Sequence, residues 1–200
     1  MMDIRPTILE GAFVRLEPLS LDHHARLCAV GLDPELWSVT TTVIRSPAEM
    51  KSYIETALQW QSDGHALPFA IIEKSSNTVV GSTRYAAIDR HHRRLEIGWT
   101  WVARGWQRTA INTEAKFLLL KHAFETLGCI RVEFKTDSLN EKSRKALARI
   151  GATEEGILRN HMITHSGRFR HSVYYSIIDT EWPAVKTRLE RFLLPRRREF

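Results

Sequence analysis

The sequence predicts an α+β fold, in which helices flank a mixed, mostly antiparallel central sheet that contains one parallel crossover. Two observations predict it. In the first half of the chain, extended apolar segments at 67–73, 79–85 and 95–102 follow one another across short polar turns. In the second half, strand and helix patterns alternate. With 200 residues and 43% hydrophobic content, the chain can bury one sizeable core, so we expect a single domain over residues 1–200 with its core at about 8–178.

The first elements are predicted from alternation and from helix-start signals. Residues 11–19 alternate as an opening strand that Pro18 ends, and Ser20 is placed to cap a helix through Leu27. Ser46, Pro47 and Glu49 form a full helix-start signature of N-cap serine, proline and glutamate. The irregular segment 33–45 between these two helices is a candidate substrate-facing loop.

The later elements follow the same rules. An apolar strand at 95–102 leads through a polar, basic turn into a helix predicted over 112–127, and a strand at 130–136 comes next. Ser138 and Glu141 suggest a capping box for a helix that stops at Gly151, and a hairpin follows at 157–164 and 173–178. The closing helix, 180–194, is expected to bury one apolar face. The residues of that face are Trp182, Val185, Leu189 and Phe192.

Composition limits the classes of protein that are considered. The net charge of +6 suits an anionic partner, but no aromatic residues interleave with the arginines of the basic tail at 195–200, so no nucleic acid is expected. No signal-peptide core or membrane-length apolar run is present, which predicts no membrane association. Cys28 and Cys129 lie in apolar patterns and are expected to be reduced core residues of a cytoplasmic protein.

No metal site is expected. The histidines form adjacent pairs, His23 with His24 and His91 with His92, whose side chains should diverge on a helix or strand. Three further histidines, His161, His165 and His171, flank the final hairpin and are candidates for substrate contact.

The turn between the strand 95–102 and the following helix carries the main functional signal. Unpaired N–H groups and the helix dipole favour an anion at such a junction, and Arg104 and Arg108 add positive charge. The turn lacks the glycines of the dinucleotide and P-loop fingerprints. From spacing alone, it is either a phosphate-binding turn or an ordinary strand-helix connection with solvated arginines.

Several segments in a fixed order extend this interpretation. The segments LEIGW, WQRTAINTEAK, GCIRVEFKTDSLNEKSRKALARIGATEEG and HMITHSGRFRHSVYYSI closely resemble the GNAT superfamily of acyl-CoA-dependent N-acetyltransferases. Within it the chain resembles the Rim-type branch, which acetylates ribosomal-protein N-termini. The resemblance covers residues 8–178 and implies the GNAT fold, acetyl-CoA as co-substrate and an amine as acceptor.

The resemblance also implies a cofactor site. The pyrophosphate loop of the family matches Gln107, Ala110 and Asn112, although the family prefers glycine at the second position and glycine or alanine at the third. The strand before the loop holds the pantetheine arm through its backbone, and its tryptophans are alternatively core residues. The cofactor-binding residues implied are Trp99, Thr100, Trp101, Val102, Gln107, Arg108, Thr109, Ala110, Ile111, Asn112, Thr113 and Asn140.

Two residues are candidates for acid–base chemistry. Glu96 stands in an apolar strand and is either an ion-paired structural residue or the general base. Many family members use a tyrosine as the acid, but Leu147 occupies that position here, and Ser143 is the alternative. Ser143 could instead bond back to a carbonyl one turn earlier, and Asn140 could be a plain helix cap.

The functional hypothesis is an acetyl-CoA:amine N-acetyltransferase that works by direct attack in a ternary complex and is a monomer or a homodimer. The alternatives are a non-catalytic acyl-CoA-binding module, suggested by the departures at Ala110 and Asn112, and a nucleic-acid binder driven by Arg196, Arg197 and Arg198. The acceptor amine is left open among protein N-termini, amino-sugar antibiotics, polyamines and small amino-acid conjugates.

Overall fold

One eight-stranded sheet organises residues 2–194, the part of the chain that a computed structural model describes. The strands are β1 Leu9–Glu10, β2 Val14–Pro18, β3 Leu67–Glu73, β4 Thr78–Asp89, β5 Arg94–Val102, β6 Arg131–Asp137, β7 Thr153–Ile163 and β8 Phe169–Ile178. The helices are α1 His24–Gly31, α2 Pro47–Ser62, α3 Ala110–Lys121, α4 Glu141–Ile150 and α5 Trp182–Leu193. The strand order is β1-β2-β3-β4-β5-β6-β8-β7, and β5 with β6 is the parallel pair. The predicted α+β class with one parallel crossover is confirmed.

The sheet is covered on both faces, and β3 shows how the sequence achieves this. Phe69 and Ile71 belong to one buried cluster, whereas Ala70 and Ile72 belong to another. Successive strand residues point to opposite faces, so a continuous apolar strand feeds two cores. We call the face with α1 and α2 the front face, and the face with α3, α4 and α5 the back face.

Local signals in the sequence placed most helix ends. The Ser46 side chain accepts a hydrogen bond from the Glu49 N–H (3.2 Å), as predicted for the start of α2. Gly151 closes α4 with a φ of 99°, which a glycine adopts without steric cost.

The predicted capping box at Ser138 is wrong. Asn140 caps α4 through a hydrogen bond from the Ser143 N–H to its side-chain oxygen (3.0 Å). The Asp137 carboxylate accepts the Leu139 N–H at 3.0 Å, which holds a turn between the strand and the helix.

Helix α3 begins earlier than the sequence predicted. Thr109 is its N-cap and accepts the Ile111 N–H at 3.3 Å, so the helix starts at Ala110 and Asn112 is not the cap. After Lys121 the backbone continues as a π-helical turn, His122–Thr126, before Gly128 takes a positive φ of 68°. Pattern alone does not distinguish such a turn from the end of an α-helix.

Two predicted burial positions are also wrong. Phe192 is 44% exposed on α5, where its ring lies 4.8 Å from the Arg149 guanidinium carbon, so a surface cation–π contact replaces core packing. Cys28 is only half-buried, and its Sγ lies 3.4 Å from His24 Nε2. Cys28 and Cys129 are both free thiols, as expected. The basic tail at 195–200 lies outside the described residues.

The first strands are tied to α3 by one buried carboxylate. Glu114 on α3 accepts the backbone N–H groups of Ala12, Phe13 and Val14 at 2.8, 2.7 and 2.6 Å. Gly11 makes this approach possible, because a Cβ there would lie 2.4 Å from the Glu114 side-chain carboxyl carbon. The start of β2 and the position of α3 therefore depend on each other.

We expect Glu114→Ala to lower the free energy of unfolding by about 3 kcal/mol or more, because three N–H groups lose a charged acceptor. Glu114→Gln keeps one acceptor oxygen and should cost less. Urea unfolding of both variants measures this, with Glu190→Ala, a change at an exposed site on α5, as the control. Equal stability of Glu114→Ala and Glu190→Ala would show that the three hydrogen bonds to Glu114 contribute nothing to the free energy of unfolding.

Candidate active site

The sheet opens between its two parallel strands. β5 and β6 pair only where Arg94–Glu96 lie beside Arg131–Glu133, although both strands continue beyond these residues. We call the gap between residues 97–102 of β5 and 134–137 of β6 the fork. Backbone groups of β5 that face the fork make no ladder bonds to β6, so they are available to an extended ligand.

A β-bulge shapes the β5 side of the fork. Arg84 of β4 pairs with Gly98 and Ser82 pairs with Trp101, so two residues of β5 lie opposite one residue of β4. Trp99 adopts a φ of 48° in this bulge, an uncommon value for a bulky residue. The bulge turns the backbone of β5 just beyond the closed end of the fork.

Glu96 stands at the closed end of the fork on the front face. Its side chain is buried, with the residue 5% exposed, and its Oε2 lies 3.3 Å from Lys135 Nζ on β6. A Cβ on Gly98 would lie 2.6 Å from Glu96 Oε1, so the absence of a side chain there gives the carboxylate its place. Burial raises the pKa of Glu96, and the positive charges of Lys135 and Arg170 oppose this shift. The result is a paired carboxylate that holds a proton more readily than an exposed glutamate.

A buried amine lies on the opposite side of the same fork. Lys116 of α3 donates to Thr100 Oγ1 at 2.8 Å, and Thr100 in turn shares a hydrogen bond with Thr83 at 2.7 Å. Its Nζ is also 5.7 Å from the Phe134 ring of β6, so the side chain reaches both strands of the fork. Burial lowers the pKa of Lys116 to about 7, while the charge of Glu96 partly restores it. This amine is therefore partly neutral near neutral pH.

The two tryptophans of β5 have different surroundings. Trp101 is 7% exposed and packs against Trp37 with ring centroids 5.5 Å apart, so its side chain belongs to the front core. Trp99 is half-buried, and its ring lies between the cations of Arg84 (5.2 Å) and Lys135 (5.9 Å). Side-chain packing thus accounts for Trp101, whereas Trp99 borders the fork.

The first residues of the loop after β5 mostly hold one another. The Gln107 amide donates to the Val102 carbonyl at 2.9 Å, and the Thr109 hydroxyl donates to the Trp106 carbonyl at 2.6 Å. Arg108 takes the positive φ of the turn, 61°, and its side chain is exposed. These contacts fix the turn from within and direct the start of α3.

The first turn of α3 combines helix N–H groups with one unsatisfied polar atom. Ala110, Ile111 and Asn112 follow the cap, and Asn112 Oδ1 is buried without a hydrogen-bond partner among the described residues. Thr113 faces away from the loop, because its hydroxyl accepts from Arg149 Nη2 at 2.7 Å. Ala110 has a helical, negative φ, so it does not need the conformational freedom of glycine.

Ser143 lies in the first turn of α4, which follows the end of β6 at the open side of the fork. Its side chain is half-buried, and no back-bond from its hydroxyl to a carbonyl one turn earlier occurs within residues 2–194. The Asn140 side-chain oxygen is used by the helix cap. Leu147, at the family's tyrosine position, is buried in the back core.

Arg104 and the loop 33–45, which the sequence suggested for anion and substrate binding, contact each other instead. Arg104 Nη1 pairs with Glu35 at 3.0 Å and with Asp33 at 3.5 Å, so its charge is neutralised by the loop before α2. That loop forms a short 3-10 turn, and its Trp37 and Ile44 are buried, which makes it partly structural.

The histidines also differ from expectation in one respect. The rings of His91 and His92 are in edge-to-face contact at 4.6 Å, because the pair lies in a turn, so the expected divergence is wrong for this pair. His161 shares a hydrogen bond with Ser172 (3.0 Å), and His171 accepts the Asn160 N–H (2.9 Å). His165 lies in the exposed turn of the hairpin. No group of three or more potential metal ligands was found in residues 2–194.

The sequence interpretation missed four charged residues around Glu96, namely Arg84, Lys116, Lys135 and Arg170. The sequence did contain a signal for Lys135. In the strand that reads IRVEFKTD, the charged residues Arg131, Glu133 and Lys135 alternate with apolar ones and therefore share one face. Lys116 stands one residue after Ala115 on a helix that is buried nearly all round, where a charge is unusual.

Comparison with known proteins identifies the family. The family model described as Acetyltransferase (GNAT) domain matches residues 14–153. The protein named "Putative ribosomal N-acetyltransferase YdaF" from Bacillus subtilis (strain 168) is 31% identical over 145 residues, which cover 70% of this chain and 77% of the relative.

Solved structures agree. A GCN5-related N-acetyltransferase from Brucella melitensis superimposes with a TM-score of 0.89 at 32% identity, covering 96% of this chain and 87% of the other. Mycobacterium smegmatis RimJ in complex with CoA-disulfide shares the fold, with a TM-score of 0.80 at 24% identity and coverage of 94% and 95%. None of the described helices is both long enough and apolar enough to span a bilayer. The chain therefore belongs to the GNAT family of acetyl-CoA-dependent N-acetyltransferases, in which it resembles the Rim-type, ribosomal N-acetyltransferase branch.

Proposed function

We propose that the protein transfers the acetyl group of acetyl-CoA to a primary amine, on a protein N-terminus or a small molecule, by direct attack in a ternary complex. Glu96 is the general base and Ser143 is the general acid. The observation that carries the proposal is a buried carboxylate with a raised pKa at the closed end of the fork. A carboxylate in that setting can accept the proton that the attacking amine loses.

The fork and the start of α3 suit an extended thioester that ends in phosphates. The backbone of Trp99, Thr100, Trp101 and Val102, which has no ladder partner on β6, would hold the pantetheine arm. Its pyrophosphate would bind at the loop 107–113, where the first N–H groups of α3, apart from that of Ile111, have no partner within the helix and the helix dipole favours an anion. The orphaned Asn112 Oδ1 is an acceptor, so it can bind an N–H or O–H of the pantetheine arm but not the pyrophosphate oxygens. Asn140 is placed after β6 to contact the arm through its remaining amide hydrogens.

Direct attack is favoured over an acetyl-cysteine intermediate. The chain has two cysteines, and a thiolate rather than a thiol is the nucleophile. Burial raises the pKa of Cys129 to about 12, and burial also raises the pKa of Cys28. Both thiols stay protonated near neutral pH, so the amine nitrogen attacks the thioester carbonyl itself.

The energetics suit a modest base and a weak acid. Deprotonating an α-amine of pKa near 8 at pH 7 costs about 1.4 kcal/mol, whereas a lysine-like amine costs about 4 kcal/mol. As the C–N bond forms and the C–S bond breaks, Glu96 takes the amine proton and Ser143 donates a proton to the departing CoA sulfur. The proton of Glu96 is then lost to solvent, and solvent reprotonates the Ser143 oxygen. A thiol of pKa about 8.5 leaves readily, so a hydroxyl suffices as the acid.

We expect Glu96→Gln to lower kcat about 100-fold or more, because the amide cannot accept a proton. Acetyl-CoA binding, measured by calorimetry, should be unchanged because Glu96 is not in the pyrophosphate loop. CoA release with a panel of amines measures the rate, and Glu55→Gln on the exposed face of α2 is the control. A wild-type rate in Glu96→Gln would remove Glu96 from the mechanism.

The acidic limb of the kcat/KM profile should follow Glu96, which is active only when ionised. Its raised pKa places this limb above the usual range of a glutamate, so activity is lost as the pH falls through the raised value. Lys135→Met removes a charge that lowers the pKa of Glu96, so the limb should move to higher pH. Lys51→Met, at an exposed site on α2, should not move it. A limb that stays in place in Lys135→Met would show that another group titrates.

Ser143→Ala should lower kcat roughly tenfold and leave the acetyl-CoA affinity unchanged, because the sulfur leaves more slowly without a proton donor. Replacing the co-substrate by an acetyl thioester of a more acidic thiol should reduce this difference, since such a leaving group needs less help. Steady-state kinetics with both thioesters provide the measurement. The acid role is refuted if Ser143→Ala shows the same defect with either leaving group.

A further inference from the structure

Arg170 on β8 is a buried guanidinium without a partner. The residue is 7% exposed, and its Nε has no hydrogen-bond acceptor among the described residues. Within residues 2–194 it forms no ion pair. Asp137 is the acidic group whose charge most affects the pKa of Arg170, but its carboxylate pairs with Arg168. A guanidinium has five N–H donors, and burying it unpaired is costly, so the site is incomplete as it stands.

The neighbouring acidic groups are already occupied. Glu96 pairs with Lys135, and Glu133 pairs with both Arg94 and Arg131. The positive charge of Arg170 is therefore in excess on this part of the front face.

A second buried guanidinium, that of Arg84, is stabilised by contacts within the protein. Arg84 is 1% exposed, and its Nε and Nη2 also lack partners among residues 2–194. Its guanidinium carbon lies 4.9, 5.4 and 5.2 Å from the ring centroids of Tyr53, Trp60 and Trp99, so three aromatic rings stabilise the charge. Arg170 has no such ring contact in the described part of the chain. The Nη groups of Arg170 are therefore left to solvent or to a bound oxyanion.

The position of Arg170 shows on which face of the sheet a ligand would contact it. Tyr174 pairs with Lys135 across β8 and β6, and Arg170 has the same strand parity as Tyr174, so all three side chains lie on the front face. The charge of Arg170 also acts on Glu96. The pyrophosphate loop leads instead into α3, which packs on the back face. A ligand group beside Arg170 therefore belongs to the acceptor and not to the phosphates of CoA.

We propose that Arg170, on the same face of the sheet as Lys135, binds an oxyanion of the acceptor, so that the preferred acceptors are amines that carry a carboxylate or phosphate. The inference rests on the proposed function and specifies the acceptor. The planar guanidinium can donate two parallel hydrogen bonds to either oxyanion. Polyamines and amino-sugar antibiotics bring further positive charge to the same place and are disfavoured.

The test compares acceptors that share one amine. Initial rates are measured with the amides of alanyl-aspartate, alanyl-phosphoserine, alanyl-asparagine and alanyl-lysine, and with spermidine. Wild-type kcat/KM should be roughly tenfold or more higher for the two anionic peptides than for the asparagine peptide, mainly through KM. The carboxylate and phosphate arms show which oxyanion is preferred.

Variants assign the preference to Arg170. Rates are compared at a pH above the acidic limb of both proteins, because Arg170→Gln also removes a charge that lowers the pKa of Glu96. There, Arg170→Gln should lose the tenfold preference and keep its rate with the asparagine peptide, and Arg170→Lys should keep part of the preference. Arg159→Gln removes the same charge from an exposed position on β7 and should behave as wild type. Thermal unfolding should show no loss of stability in Arg170→Gln. A wild type that does not prefer anionic peptides, or an Arg170→Gln variant that loses rate equally with every acceptor, overturns the inference.

A binding experiment separates this inference from the proposed function. N-acetylalanyl-aspartate amide cannot react, and calorimetry should show that it binds wild type at least tenfold more tightly than Arg170→Gln. If this difference is found while no amine is acetylated, the anion site stands and the proposed function fails. If amines are acetylated without this difference, only the anion site fails.

Discussion

The early end of pairing between β5 and β6 is the constraint on which the rest of the structure depends. Three residue pairs hold these strands together, and beyond Glu96 and Glu133 each strand keeps its own direction. The closed end of the gap brings a buried carboxylate close to a lysine, and the open end leads to the starts of α3 and α4. Because backbone N–H and C=O groups inside a protein need partners, an unpaired stretch of strand persists only where solvent or a ligand completes it. The fork therefore leaves a stretch of β5 without a ladder partner on β6 and places a buried carboxylate at its closed end.

Much of the fold could be predicted because its local signals are strong. A continuous apolar run between polar turns predicted the bounds of Leu67–Glu73, and the serine-proline-glutamate signature predicted the start of α2. Predictions of helix starts failed where a neighbouring side chain competes to cap the helix. Asn140 rather than Ser138 caps α4, since the Asp137 side chain first holds a turn, and Thr109 rather than Asn112 caps α3. Each competing residue is only two or three positions away, but a pattern of residue types does not show which side chain reaches the free N–H.

The sequence predicts the candidate site as a list of polar residues on a strand and a loop, but not the charges that the fold brings around Glu96. Glu96 stood out because it interrupts an apolar run. Its relation to Lys116 and Lys135 depends on how β6 and α3 pack on β5, which are contacts distant in sequence. Burial also changes the charge state of these residues. The lysine of α3 has a pKa near 7 because its surroundings exclude water, whereas a sequence pattern assigns it a full positive charge.

Trp99 links the two sides of the site. A positive φ for a bulky residue costs of order 1–3 kcal/mol, and it persists where the surroundings determine it. The cations of Arg84 and Lys135 lie 5.2 and 5.9 Å from its ring, and Trp60 meets it edge-on at 5.3 Å. These contacts hold the ring on the front face, and the same residue's backbone then turns at the edge of the fork. The front face beside Glu96 and the β5 side of the fork are therefore shaped by one residue, so neither can be altered there without the other.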